Sequence, residues 1–186
     1  MFTRSAKLLA TAAFAATLAV PAAFAENPMV GGAPMLAERN IVENAVNSKD
    51  HTTLVAAVKA AGLVETLQGE GPFTVFAPTN AAFDKLPEGT VATLLKPENK
   101  DQLSKVLTCH VVAADVMSSA LGKMIADDGG AHPVKTVGGC EFTARAVDGK
   151  IMIEDGQGNM ATVTIADVDQ SNGVIHVIDT VLLPAS

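Results

Sequence analysis

The segment Val174–Leu183, VIHVIDTVLL, constrains the fold of this chain more than any other stretch. Side chains of a strand alternate between two faces. Alternation here puts Val174, His176, Ile178 and Thr180 on one face, and Ile175, Val177, Asp179 and Val181 on the other. Apolar residues on both faces predict a central strand that is covered on both sides. Asn172-Gly173, just ahead, supplies a turn conformation that other residues resist. Such a strand needs two apolar layers, so the rest of the chain must provide them.

The first half reads as mainly helical. Ile41, Val42, Ala45 and Val46 fall at helical spacing, and Leu54, Val55, Val58 and Ala61 form a second stripe. Asp50 is the expected N-cap of that second helix, and Gly62 its left-handed stop. Phe73–Phe76 reads as a strand ended by Pro78, after which Thr79 or Asn80 caps a short helix carrying Phe83 and Leu86. Further helices are expected around Val91–Leu95 and Leu103–Leu107. Cys109–Val112 reads as a buried strand, and Met117–Ile125 is ambiguous. From Val134 onward strands dominate: Val134–Val137, Cys140–Val147, Lys150–Glu154, Ala161–Val168 and Val174–Leu183. Asp148-Gly149 is a tight-hairpin signal, and Asp155–Asn159 supplies another turn. Helices first and antiparallel strands afterwards predict an α+β domain.

Residues 1–25 stand apart from that fold. Arg4 and Lys7, an apolar run from Leu8 to Val20, and Ala23-Phe24-Ala25 have the layout of a secretory signal peptide. The apolar run is shorter than the roughly 20 residues that a membrane span needs. No membrane span is expected after its removal. Residues 26–38, with Pro28, Gly31, Gly32 and Pro34, read as a flexible leader, and 39–185 as one domain. Without the signal, 11 basic residues face 20 acidic ones, a net charge of −9. So acidic a chain has no electrostatic reason to bind nucleic acid or anionic lipid. Export also bears on Cys109 and Cys140. An oxidising compartment makes one disulfide the default, closing a loop of about 30 residues. Two buried small hydrophobes or a reactive thiol are the alternatives. Cys140 begins a strand whose inward positions would be Cys140, Phe142, Ala144 and Ala146.

Three segments, TVFAPTNAAF (Thr74–Phe83), CHVV (Cys109–Val112) and SNGVIHVIDTVLLP (Ser171–Pro184), occur in that order. They resemble the two signature motifs of the fasciclin domain and the element between them. The resemblance covers about Arg39 to Pro184. It implies a β-sandwich-like wedge with helices packed along it, mainly from the N-terminal half. It also implies an adhesion or matrix-type role outside the cell, without catalysis. The family's usual Tyr before the central His is Cys109 here, which removes an aromatic contact and a phenolic hydroxyl. A Cys109–Cys140 bridge would replace that packing with a covalent tie. The resemblance further points to Asp167-Val168, just before the second motif, as a receptor contact.

Read as residues alone, the motifs are scaffold. Val75, Phe76, Pro78, Thr79, Asn80 and Phe83 end a strand and pin a helix; Asn172, Gly173, His176 and Asp179 set and hold the last strand. His110 and His176, in apolar surroundings, are expected to be structural and hydrogen-bonded, as is Asp179. No His-Glu-x-x-His, Gly-x-Ser-x-Gly or phosphate-loop spacing is present. Asp167, Asp169 and Ser171 fail the calcium-loop register, because Gly173 falls at the seventh position and Ile178 at the twelfth. Met117, Met124, Met152 and Met160 show no clustered spacing for a soft metal. A Cys109–His110 dyad fails because neighbours on a strand diverge. His51 and His132 carry no signal. No metal, cofactor or catalytic residue is expected. Two functions remain: a secreted module, periplasmic or extracellular, that binds a protein or glycan at a cell surface or envelope, or a periplasmic carrier holding a small apolar ligand between helices and sheet.

Overall fold

The computed structural model describes residues 27–185; the signal segment 1–25 lies outside the described residues. Met29–Val30 (β1) and Ala33–Pro34 (β2) form a small hairpin. Its Val30 and the following Met35 are buried, so the stretch expected to be a flexible leader is packed on the core instead. Apolar Val30 and Met35 gain from burial, and the Met35 N–H closes the hairpin onto the Pro28 carbonyl at 2.9 Å.

Helix α1 (Ile41–Ala45) opens with a capping box between Asn40 and Glu43, each side chain accepting the other's backbone N–H. Helix α2 (Thr52–Ala61) ends on Gly62 at φ 74°, as its sequence requires. Asp50 does not cap it. A 3₁₀ turn over Lys49–His51 puts His51 at the cap position, without a side-chain cap bond. After α3 (Val64–Leu67) come β3 (Phe73–Pro78), α4 (Asn80–Asp84), α5 (Thr90–Leu94) and α6 (Lys100–Cys109). Cys109 and His110 therefore end a helix, and only Val111–Val112 (β4) is strand. The short apolar run after a helical pattern had no period of its own to mark that boundary. The ambiguous segment is helix α7 (Ser118–Asp127), with Leu121 and Ile125 buried one turn apart.

The remaining strands are β5 (Ala131–Lys135), β6 (Glu141–Val147), β7 (Lys150–Glu154), β8 (Met160–Gln170) and β9 (Gly173–Ile178). One seven-stranded sheet runs in the order β4-β3-β9-β8-β7-β6-β5. Its neighbours are antiparallel except β3 and β9, which are parallel with Phe76 opposite His176. Strand β8 bends the sheet into a wedge: its start pairs with β7, its remainder with β9, across two register shifts.

Strand β9 is central and buried from Val174 to Ile178. Ile175, Val177 and Val181 join Val75 and Ala77 in a core under α1, α2, α4 and α6. Ile178 joins Phe76, Phe142 and Leu182 in a second core under α7. Both layers demanded by the two-faced strand are present. In β6, Phe142 and Ala144 point inward as expected, but Ala146 is exposed because the strand runs out past the core.

Candidate functional site

Thr79 and Asn80 divide a task that the sequence left to either. Thr79 caps α4, its hydroxyl accepting the Ala82 N–H. Asn80 works across the fold: its Oδ1 accepts the Thr53 N–H at 3.0 Å and its Nδ2 donates to the Lys49 carbonyl at 2.9 Å. It thus satisfies an orphan amide of α2, which lacks a cap of its own. Phe83, 8 % exposed, anchors α4 in the helical core.

Asn172 joins three segments. Its Oδ1 accepts the Ile41 N–H at the start of α1, and its Nδ2 donates to the carbonyls of Leu67, the last residue of α3, and Gly69 just beyond it. Gly173, at φ 149°, crosses so close to β3 that a Cβ there would sit 1.9 Å from the Phe73 carbonyl oxygen. No other residue fits.

His176 repairs a fault in the sheet. Between the pairs Ile165–Val177 and Val168–Ile175, two β8 residues, Ala166 and Asp167, oppose His176 alone. That bulge puts Asp167 at φ 56°. The ring takes up the Asp167 N–H on Nδ1 at 3.2 Å and donates from Nε2 to the Val116 carbonyl at 2.7 Å. Its face lies against Phe76, with centroids 5.7 Å apart. The Asp167 carboxylate turns to the start of α7, accepting the Ser118 N–H at 2.6 Å and also the Ser118 hydroxyl. Val168 next to it is 0 % exposed. The pair expected at a receptor contact is thus built inward: Val168 is a core residue in this fold, and Asp167 holds a helix N-terminus.

His110 closes the wedge. Nδ1 donates to the Val106 carbonyl at 2.8 Å, and Nε2 accepts the Leu182 N–H at 2.9 Å. Burial pushes the ring down to about 4, against the pull of the Val106 carbonyl and the Asp155 carboxylate. Every ring nitrogen of His110 and His176 is thus committed to backbone, which leaves none to ligate a metal. Asp179 accepts the Thr162 N–H at 2.8 Å and the Thr180 hydroxyl at 3.0 Å, with Lys85 3.6 Å away. Burial pulls its carboxyl up, but these three partners outweigh it and hold it below the usual carboxylate value.

Cys109 and Cys140 form a disulfide, with Cα atoms 5.4 Å apart. It ties the end of α6 to the start of β6. The turn between β5 and β6 lies against Cys109 so closely that a Cβ on Gly138 would sit 2.7 Å from the Cys109 nitrogen. A Cys109–His110 dyad is ruled out by this bond; the two residues end a helix, so the divergence of neighbours on a strand does not apply to them.

Two residues of consequence had no signal in the sequence. Asp155, read only as part of a turn, is 6 % exposed. It accepts the amides of Gln157, Asn159 and Leu183, and so pins the C-terminal segment. A turn-forming Asp looks the same whether or not a distant segment uses its second oxygen. His51, likewise unmarked, is 3 % exposed and lines a cavity between the helices and the sheet.

The fold and these residues define an α+β scaffold domain whose signature histidines, asparagines and acids hold the chain together. The chain belongs to the fasciclin-domain family: the Fasciclin domain model matches residues 49–184. It is 54% identical over 144 residues to Protein sll1483 of Synechocystis, covering 77% of this chain and 73% of that one. It is 35% identical over 166 residues to the cell surface glycolipoprotein MPT83 of Mycobacterium tuberculosis, covering 86% of this chain and 68% of that one. It is also similar to the transforming growth factor-beta-induced protein ig-h3 of Sus scrofa, 37% identical over 131 residues that make up 70% of this chain but 17% of that protein. Among solved structures, a FAS1 domain pair from the insect cell adhesion molecule Fasciclin I shares the fold, with a TM-score of 0.53 at 24% identity over 70% of this chain and 43% of that one. Among the described residues no helix is long and apolar enough to cross a membrane.

Proposed function

We propose that the chain is an exported, non-enzymatic module that binds a protein or glycan at a cell surface or envelope. One observation carries this reading: the side chains able to do chemistry in the signature motifs, Cys109, His110, His176 and Asp179, are all spent on holding the fold. What is left for function on this reading is the exterior. The family membership and the cell-surface relative support it.

The Asp167–Val168 pair enters as a positioning element. Val168 anchors the bulge and Asp167 fixes α7, so together they set the shape of the surface carrying exposed Ser119 and Asp169. The test is attachment of cells to a surface coated with residues 26–186, with soluble protein as competitor. Saturable attachment that competitor removes is expected. Asp167→Ala should lower attachment and melting temperature together, while Asp169→Ala should lower attachment alone. Attachment no greater than to a coat of unfolded, reduced chain refutes the module.

A further inference from the structure

The polar side chains of the signature motifs are spent inside the fold, but a different set is grouped on the exterior and unspent. The loop 68–72 ahead of β3, the β8–β9 turn 170–173 and Asp115 line an open cleft of about 580 Å³. That volume falls within the range of about 300–1,000 Å³ typical of small-molecule clefts. Its floor is backbone against backbone: a Cβ on Gly71 would sit 2.0 Å from the Asn172 carbonyl oxygen. Asn172 also ties the loop down, because its Nδ2 donates to the Leu67 and Gly69 carbonyls at 2.8 and 3.0 Å. Gln68 and Glu70, on either side of Gly69, are thus carried by a fixed loop, which lowers the cost of ordering them on a ligand.

Gln68, Glu70, Asp115 and Ser171 are exposed, and their side chains make no hydrogen bond or ion pair with other described residues. Asn40 adds an amide nitrogen, since its Oδ1 alone is occupied, by the Glu43 N–H. The wall therefore mixes donors, from two amides and a hydroxyl, with acceptors, from two carboxylates. Among the described residues no Lys or Arg lines it. A carboxylate or phosphate ligand would meet two acids and no opposite charge. An apolar ligand would strip water from polar groups without replacing its hydrogen bonds. Among the described residues no group of three or more acids, His or Cys is placed to hold a metal ion. A mixed wall of this kind suits groups that donate and accept at once, as a sugar hydroxyl does. We infer that the cleft binds one uncharged hexose unit of an envelope glycan, with Glu70 and Asp115 accepting from its hydroxyls and Gln68 and Asn40 donating to them. The inference rests on the reading of the chain as a surface-binding module, and it chooses glycan over protein as the partner.

The experiment titrates residues 26–186 with mannotetraose, cellotetraose and galactotetraose, and separately with tetragalacturonate and tetralysine, while amide resonances are followed. At least one uncharged tetrasaccharide is expected to shift the Gln68 side-chain amide and the Gly69 and Gly71 backbone amides saturably. A double variant, Glu70→Gln with Asp115→Asn, should keep its melting temperature, because neither carboxylate has a partner in the fold. It should bind the same sugar at least about tenfold more weakly. No saturable shift from any of the three overturns the inference, as does unchanged affinity in the double variant. Tighter binding of tetragalacturonate or of tetralysine overturns it too. Cell attachment without sugar binding sinks this inference and leaves the surface module standing; sugar binding without cell attachment does the reverse.

Discussion

Acid should destabilise this fold through His110, in a window set by its burial. The ring has an ordinary value of 6.5 and is pushed down to about 4 when folded. Between those values the unfolded chain binds a proton that the folded chain refuses. Stability is therefore full above 6.5, falls as pH drops, and stops falling on this account below about 4. At about 1.4 kcal/mol for each tenfold change in proton concentration, the loss is about 3 kcal/mol. His51, also held down by burial, adds loss in the same direction. Asp179, lowered from 3.8, loses its contribution only below that range. The assay is urea unfolding at a series of pH values, in a His51→Leu background so that His110 is read alone. In that background His110→Gln should be less stable at neutral pH, yet nearly flat from about pH 6.5 to about pH 4. Equal pH slopes with and without His110 would refute the reasoning.

Reducing the Cys109–Cys140 bond, which closes 31 residues of separation, should lower unfolding free energy by about 3–4 kcal/mol. Urea midpoints with and without reductant measure this, and a thiol titration on unreduced protein should find no free thiol. Asn172→Ala removes three hydrogen bonds that tie α1 and α3 to the start of β9 and should cost about 2 kcal/mol. Thermal melting reports the loss, and amide exchange should quicken first at Ile41.

The parts of this fold that were legible in the sequence are those written in local pattern. The two-faced β9, the stop at Gly62 and the strand-ending Pro78 each follow from a few adjacent residues. The structural character of His110, His176 and Asp179 followed from their apolar neighbours. What distant segments decide between them was not legible. The parallel pairing of β3 with β9 depends on a crossover that spans most of the domain. The bulge at Asp167 appears only once β8 is set against β9, and it turns an apparent surface acid inward. His51 sits in a polar run, Ser48-Lys49-Asp50-His51, that reads as exposed until the cavity wall is assembled around it. The helix end at Cys109 was hidden because four apolar-flanked residues satisfy either period.

Nitrogen spectra of the imidazoles at neutral pH probe most directly whether the signature motifs are interior architecture. His110 should appear as the uncharged Nδ1–H form, and His176 should show Nδ1 accepting and Nε2 donating a hydrogen bond, both slow to exchange and indifferent to added zinc. A charged His110 ring, rapid exchange with water at either ring, or lines displaced by the metal would contradict the account, because nitrogens committed to backbone can do none of these.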